Sequence, residues 1–123
     1  MMISELVYLV LLSLFLVHEL DAVAQSEWRL LPLLRRLPEA KVRAWFIGLH
    51  VPLFAVIIYA SYIAPTVVSD MARMIVSGFA IVHVGLHYAF RNNPNYSFTS
   101  GLSKALIYGP GLFGAAYIGV VRL

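Results

Sequence analysis

The chain has 123 residues, with nine Lys and Arg against six Asp and Glu, four His and no Cys; it is 61% hydrophobic and 12% charged. Soluble domains run near half apolar and about a quarter charged, so polar surface is too scarce for a water-soluble fold and lipid must serve as its solvent. The missing Cys excludes disulfides, thiolate metal sites and thiol nucleophiles, and the net charge of +3 is not a nucleic-acid patch, because the basic residues cluster in short loops between apolar runs.

The first apolar run covers residues 4–25 and is long enough to span, since a spanning helix needs about 20 mostly apolar residues. Its Ala22-Val23-Ala24 resembles a signal-peptidase site. Against that, the start carries Glu5 and no Lys or Arg, and export of the next loop would carry its five basic residues the wrong way. An uncleaved helix is expected, with His18, Glu19 and Asp21 near its C-terminal end and Glu27 beyond. Residues 28–37, WRLLPLLRRL, mix Trp28 and leucines with three arginines and suit a segment lying in the interface. Pro38 then opens a second run, 41–63, where its missing N–H costs little. That run carries His50 and Pro52.

A third run, 71–90, carries His83 and His87. The polar loop RNNPNYSFTS follows, in which Thr99 or Ser100 can cap the next helix. Its Asn95-Tyr96-Ser97 fits a glycosylation sequon, which a cytoplasmic loop would never present to that machinery. The fourth run, 102–121, carries Gly111, Ala115 and Gly119 at four-residue spacing, a stripe that lets another helix approach closely. Pro52 and Pro110 are expected to kink their helices. Each run is continuous rather than alternating, which favours helix, and lipid accepts only helices or closed barrels. The fold expected is all-α, an integral membrane bundle of four transmembrane helices forming a single domain over 1–123.

Arg29, Arg35, Arg36, Lys41, Arg43, Arg91 and Lys104 fall on one side of this topology, and only Arg73 and Arg122 on the other. The positive-inside rule makes the first side cytoplasmic and puts both termini outside. All four histidines then lie in the cytoplasmic half. At 1.5 Å rise per residue, His18 and His83 lie about 10 Å inside the ends of their helices and His50 about 13 Å, with His87 about one turn shallower. A charged group at the bilayer centre costs roughly 2.5–3.5 kcal/mol, so such groups should face one another or a wet cavity. His83 and His87 share a helix face at i,i+4, the spacing by which two helical histidines chelate one ion. His18, His50, His83 and His87 are therefore candidate metal ligands, with Asp21 or Glu19 orienting a ligand or acting as base. Nitrogen and oxygen donors suit a divalent metal such as zinc, iron or manganese. The competing reading is a metal-free polar network, with Glu19 and Asp21 paired to Arg29, Arg43 or Arg91.

The run His18-Glu19-Leu20-Asp21-Ala22, followed by Glu27-Trp28-Arg29 and later by His83 and His87, resembles small bacterial four-helix membrane proteins of the HXXEE type. In that pattern His18 and Asp21 match the His and the first acid, while Ala22 stands where the second acid would be and Glu19 or Glu27 would have to substitute. The resemblance implies a metal-dependent membrane enzyme in the bacterial inner membrane. The reaction could be hydrolysis or oxidation of a lipid-soluble substrate entering between helices. Two other classes fit the sequence: an accessory subunit of a larger membrane complex or homo-oligomer, and a haem-b electron carrier with axial histidines.

Overall fold

A computed structural model describes residues 2–123. It is all-α, with four helices long and apolar enough to cross a membrane: α1 (Met2–Ala24), α2 (Glu39–Ile58, continued by a π-helical turn Tyr59–Ile63), α3 (Thr66–Phe90) and α4 (Gly101–Arg122). The third helix starts five residues earlier than its apolar run, because Pro65 in an extended conformation ends the preceding turn and its carbonyl accepts from Val68 and Ser69 N–H. Ser100 caps α4, its Oγ accepting from the Ser103 N–H at 3.0 Å. Both α2 and α4 remain helical through their internal prolines, Pro52 and Pro110.

The segment after α1, expected to lie in the interface, is not one continuous helix. It forms two short 3-10 turns, Glu27–Leu30 and Leu34–Arg36. Trp28 and Leu30 turn inward and are buried. Trp28 packs on Phe46 of α2 with ring centroids 5.3 Å apart, and Arg43 lies over its ring. Trp28 is thus a core residue of the loop, because the chain reverses just before it.

The buried face of α1 is Tyr8, Leu11, Leu12, Phe15, His18 and Ala22, a stripe at three- and four-residue steps. On α3 it is Ser77, Ala80, His83 and His87. Helix α4 packs between these two stripes. Its close approach to α3 runs through Gly111 and Gly114: an added Cβ at Gly114 would lie 2.5 Å from the Ser77 carbonyl oxygen, and one at Gly111 would clash with the Val84 side chain. The Gly111-Ala115-Gly119 stripe is not the face used, since Ala115 and Gly119 are exposed and a Cβ at Gly119 meets nothing within 4 Å. Three-residue spacing, not four, carries the contact.

Helix α2 is peripheral. Among its described residues only Val42 is buried, and Trp45, Leu49, Val51, Leu53 and Val56 face outward. Such a surface fits a helix long and apolar enough to cross a membrane. The π-helical corner that ends α2 is tied down at the end of the bundle that carries the termini. There Tyr8 Oη and Ser61 Oγ are hydrogen-bonded at 2.7 Å, Arg73 donates to the Ser61 carbonyl at 2.9 Å and to Glu5 at 2.6 Å, and the Arg73 guanidinium lies over the Tyr8 and Tyr62 rings. At the opposite end the two long loops join: Asn95 donates to the Arg29 carbonyl and Ser97 to the Gln25 carbonyl.

Candidate metal centre

The loop end of the bundle carries the histidines. His18 on α1 and His83 and His87 on α3 face one another, with ring centroids 4.5–5.3 Å apart and interplanar angles of 65–84°. Their shared helix-face spacing brings His83 and His87 to the centre together. All three are buried.

The fourth member is Glu27, which lies beyond the end of α1. Ser26 adopts the left-handed conformation, φ 52° and ψ 53°, and so turns the chain back over the bundle. A non-glycine residue there costs roughly 1–2 kcal/mol. The burial of Trp28 and Leu30 directly after the turn holds it. Glu27 Oε1 then sits 3.2 Å from His87 Nε2, 3.9 Å from His83 Nε2 and 4.0 Å from His18 Nε2. One ligand atom from each of His18, Glu27, His83 and His87 lies within 4.8 Å of every other. Four donors about 2.1 Å from a tetrahedral ion would stand about 3.4 Å apart, so a small contraction of side chains would close the set.

Several buried polar atoms in and beside the cluster have no protein hydrogen-bond partner. Neither ring nitrogen of His18 has a hydrogen-bond partner, although the residue is 0% exposed, and His83 Nδ1 and Asp21 Oδ2 are likewise unsatisfied. Each such buried group costs about 1–3 kcal/mol. A cation between the rings would meet one of the two unsatisfied His18 nitrogens, whereas the unsatisfied His83 atom is Nδ1, not the Nε2 that lies near Glu27. Burial pushes the Glu27 carboxyl up, but the hydrogen bond from His87 and the nearby His18, His87 and His83 rings outweigh it and hold the group below its ordinary value. An ionised carboxylate is the form a metal takes.

A further layer surrounds the ligands. His87 Nδ1 lies 3.2 Å from Tyr96 Oη. While Nε2–H donates to Glu27, Nδ1 must accept from the phenol; were Nε2 to hold an ion, Nδ1–H would donate to the phenol oxygen instead. Burial holds that phenol above its ordinary value, so it stays a protonated partner. Phe98 packs on His87 at 4.8 Å and on His18 at 5.8 Å, while Phe15 and Phe79 close on His83 at 5.6 Å each. On the α2 side the centre opens to a cavity of about 170 Å³ lined by Glu27, His83 and His87 together with Leu30, Leu31, Phe46, Leu86 and Phe90.

His50 does not join this group. Its Nδ1–H donates to the Phe46 carbonyl and its Nε2 lies 2.7 Å from Glu19 Oε2. Both ring nitrogens are thus engaged by protein partners, away from the cluster. Glu19 sits one position beyond His18, so it projects about 100° away, out of the centre and toward α2. Asp21 accepts from Gln25 at 3.4 Å through its other oxygen. The arginines pair elsewhere: Arg29 and Arg43 with Glu39, and Arg91 with the Tyr88 carbonyl and ring. Glu27, Tyr96 and Phe98 were not among the candidates read from helical spacing, because all three lie outside the helices.

Comparison with known proteins places the chain in a family of unknown function, DUF6713, whose model matches residues 4–123. The chain belongs to that family. The match bears out the likeness to an uncharacterised family but says nothing of the HXXEE type. No curated protein and no solved structure matches the chain.

Proposed function

We propose that this protein is a metal-dependent membrane enzyme that holds one divalent ion between His18, Glu27, His83 and His87 and acts on a lipid-soluble molecule. The observation that carries the reading is the convergence of four ligand atoms within 4.8 Å around a fully buried histidine with no other partner. Three imidazoles and one carboxylate suit zinc, iron or manganese. The ion would supply Lewis acidity and an activated water for hydrolysis or, with iron, a site for oxygen chemistry. A small ion suits the geometry better than haem, because imidazoles packed edge to face at 4.5–5.3 Å leave no slot for a macrocycle between them.

The residues of the chain divide the remaining work. Tyr96 fixes the ring orientation of His87 from outside, as outer partners of ligating histidines do. The aromatic collar of Phe15, Phe79 and Phe98 excludes water from three sides. The cavity beside Phe46 is apolar and reaches Glu27, His83 and His87, which suits an apolar substrate approaching from the bilayer. Glu19, held by His50, also borders two apolar cavities along α2 and is the base best placed toward lipid. Asp21, three residues from His18, makes no hydrogen bond to it: one oxygen accepts from Gln25 and the other is buried without a partner.

Elemental analysis of protein purified without a histidine tag tests the reading. Wild type supplemented with zinc, iron or manganese should carry about one ion per chain, and His83→Ala/His87→Ala should carry none. Wild type without stoichiometric metal would sink the proposal, leaving a polar network in an accessory subunit.

A further inference from the structure

A second region of the molecule stands apart from the metal centre. An apolar groove of about 320 Å³ lies between the second 3-10 turn and the start of α2, lined by Leu34, Leu37, Val42, Trp45 and Leu49 with Lys41 at its edge. Trp45 is 63% exposed and lies in the second turn of α2, and amphipathic rings of this kind are enriched at membrane interfaces. Arg35 and Arg36 lie in the same turn as Leu34 and are exposed.

The charges around this groove are unbalanced. Arg29 and Arg43 share Glu39, and Arg73 has Glu5. No ion pair within the described residues takes up Arg35, Arg36 or Lys41. Lys41 lines the groove, and Arg35 and Arg36 belong to the 3-10 turn that supplies its Leu34, so three cations with no ion pair among the described residues lie beside an apolar groove. Detached anions would find the cations but not use the groove, and an uncharged lipid would fill the groove but leave the cations unmet.

We propose that this groove binds one anionic phospholipid of the surrounding membrane, its phosphate headgroup on Arg35, Arg36 and Lys41 and an acyl chain along Leu37, Trp45 and Leu49. The lipid joins the 3-10 turns to α2, which otherwise has few contacts with the bundle. Each basic residue near an anionic lipid surface strengthens binding by roughly five-fold at low salt. Three together should give at least a ten-fold preference after partial screening.

Native mass spectrometry of the delipidated full chain tests this, with dioleoyl phosphatidylglycerol or dioleoyl phosphatidylcholine added back. Wild type should retain one phosphatidylglycerol at least ten-fold more tightly than phosphatidylcholine. Arg35→Gln/Arg36→Gln/Lys41→Gln should lose that preference, whereas Lys104→Gln/Arg122→Gln should keep it. Leu37→Ser/Leu49→Ser keeps every cation and should still weaken phosphatidylglycerol several-fold. Equal retention of the two lipids by wild type would overturn the proposal, as would a triple variant that binds phosphatidylglycerol like wild type. So would an equal loss in the Lys104/Arg122 control, or unchanged binding in the groove variant. Metal content is read in the same spectra, so failure here is distinguishable from failure of the metal centre.

Discussion

Glu27→Gln is the sharpest perturbation of the centre. The substitution keeps size and shape but removes the charge and one of two oxygens, and Glu27 Oε1 is the atom to which His18, His83 and His87 all point, at 4.0, 3.9 and 3.2 Å. Loss of an outer partner of a metal ligand costs about 10–100-fold in affinity, so loss of a ligand should cost 100-fold or more. The consequence for stability follows from linkage. At metal 100 times above the wild-type Kd, binding stabilises the fold by about 2.7 kcal/mol. A Kd weakened about 100-fold leaves about 0.4 kcal/mol at the same concentration. Thermal unfolding in detergent, run with metal and with chelator, reads this difference directly. A variant whose metal-induced shift matches that of wild type would refute the assignment of Glu27 as a ligand.

Tyr96→Phe should weaken metal binding by about 10–100-fold without abolishing it, because it removes the oxygen that orients His87 and leaves all four ligands in place; titration with zinc checks it. His50→Ala should leave metal stoichiometry unchanged and cost about 1–3 kcal/mol of stability, since it strands the Glu19 carboxyl in an apolar crevice; elemental analysis alongside thermal unfolding separates the two effects. Gly114→Ala should cost about 1–3 kcal/mol by forcing α4 off the Ser77 carbonyl, whereas Gly119→Ala should be neutral or slightly stabilising, as melting of the two variants would show. In metal-free protein the depressed Glu27 carboxyl stabilises the fold above its unfolded value near 4.5, and that contribution is lost as pH falls below it. Acid titration of Glu27→Gln should lack this component, and an identical acid profile would contradict it.

The helices were legible because hydropathy and length report the solvent a segment needs, and that requirement is local. The Ser100 cap follows from side-chain chemistry within one turn, whereas Pro65 starts α3 five residues before its apolar run. How the helices pack was less legible. Small residues at four-residue spacing marked Gly111, Ala115 and Gly119 equally, yet only the first touches α3 closely, and Gly114 does the rest. A stripe states which residues permit close approach, while the partner helix decides which of them is used. Likewise no periodicity foretold that α2 would bury only Val42, since lipid-facing and core-facing residues are equally apolar in a membrane protein.

The site divides along the same line. Equal depth along three helices correctly brought His18 and His83 to one level, and i,i+4 spacing added His87. Depth contains no angle, however, and so could not separate these rings from His50. The discriminating feature is a neighbour: Glu19, about 100° around α1 from His18, faces α2 and takes His50 for itself at 2.7 Å. Glu27 entered only as a stand-in for the missing second acid and not as a ligand, for the opposite reason. It is placed by a single left-handed residue, Ser26, and by the burial of Trp28 just beyond it, neither of which has a helical period. Tyr96 and Phe98 come from a polar loop whose two aromatic side chains were its least loop-like feature. An aromatic residue in a loop otherwise made of turn formers needs a buried place to go, and here that place is the ring of His87, at 5.8 and 4.8 Å. The centre is therefore built from two kinds of information. Helix periodicity supplies three donors that lipid would not tolerate singly, and the two loops supply the anion and the lid that make burying them together worthwhile.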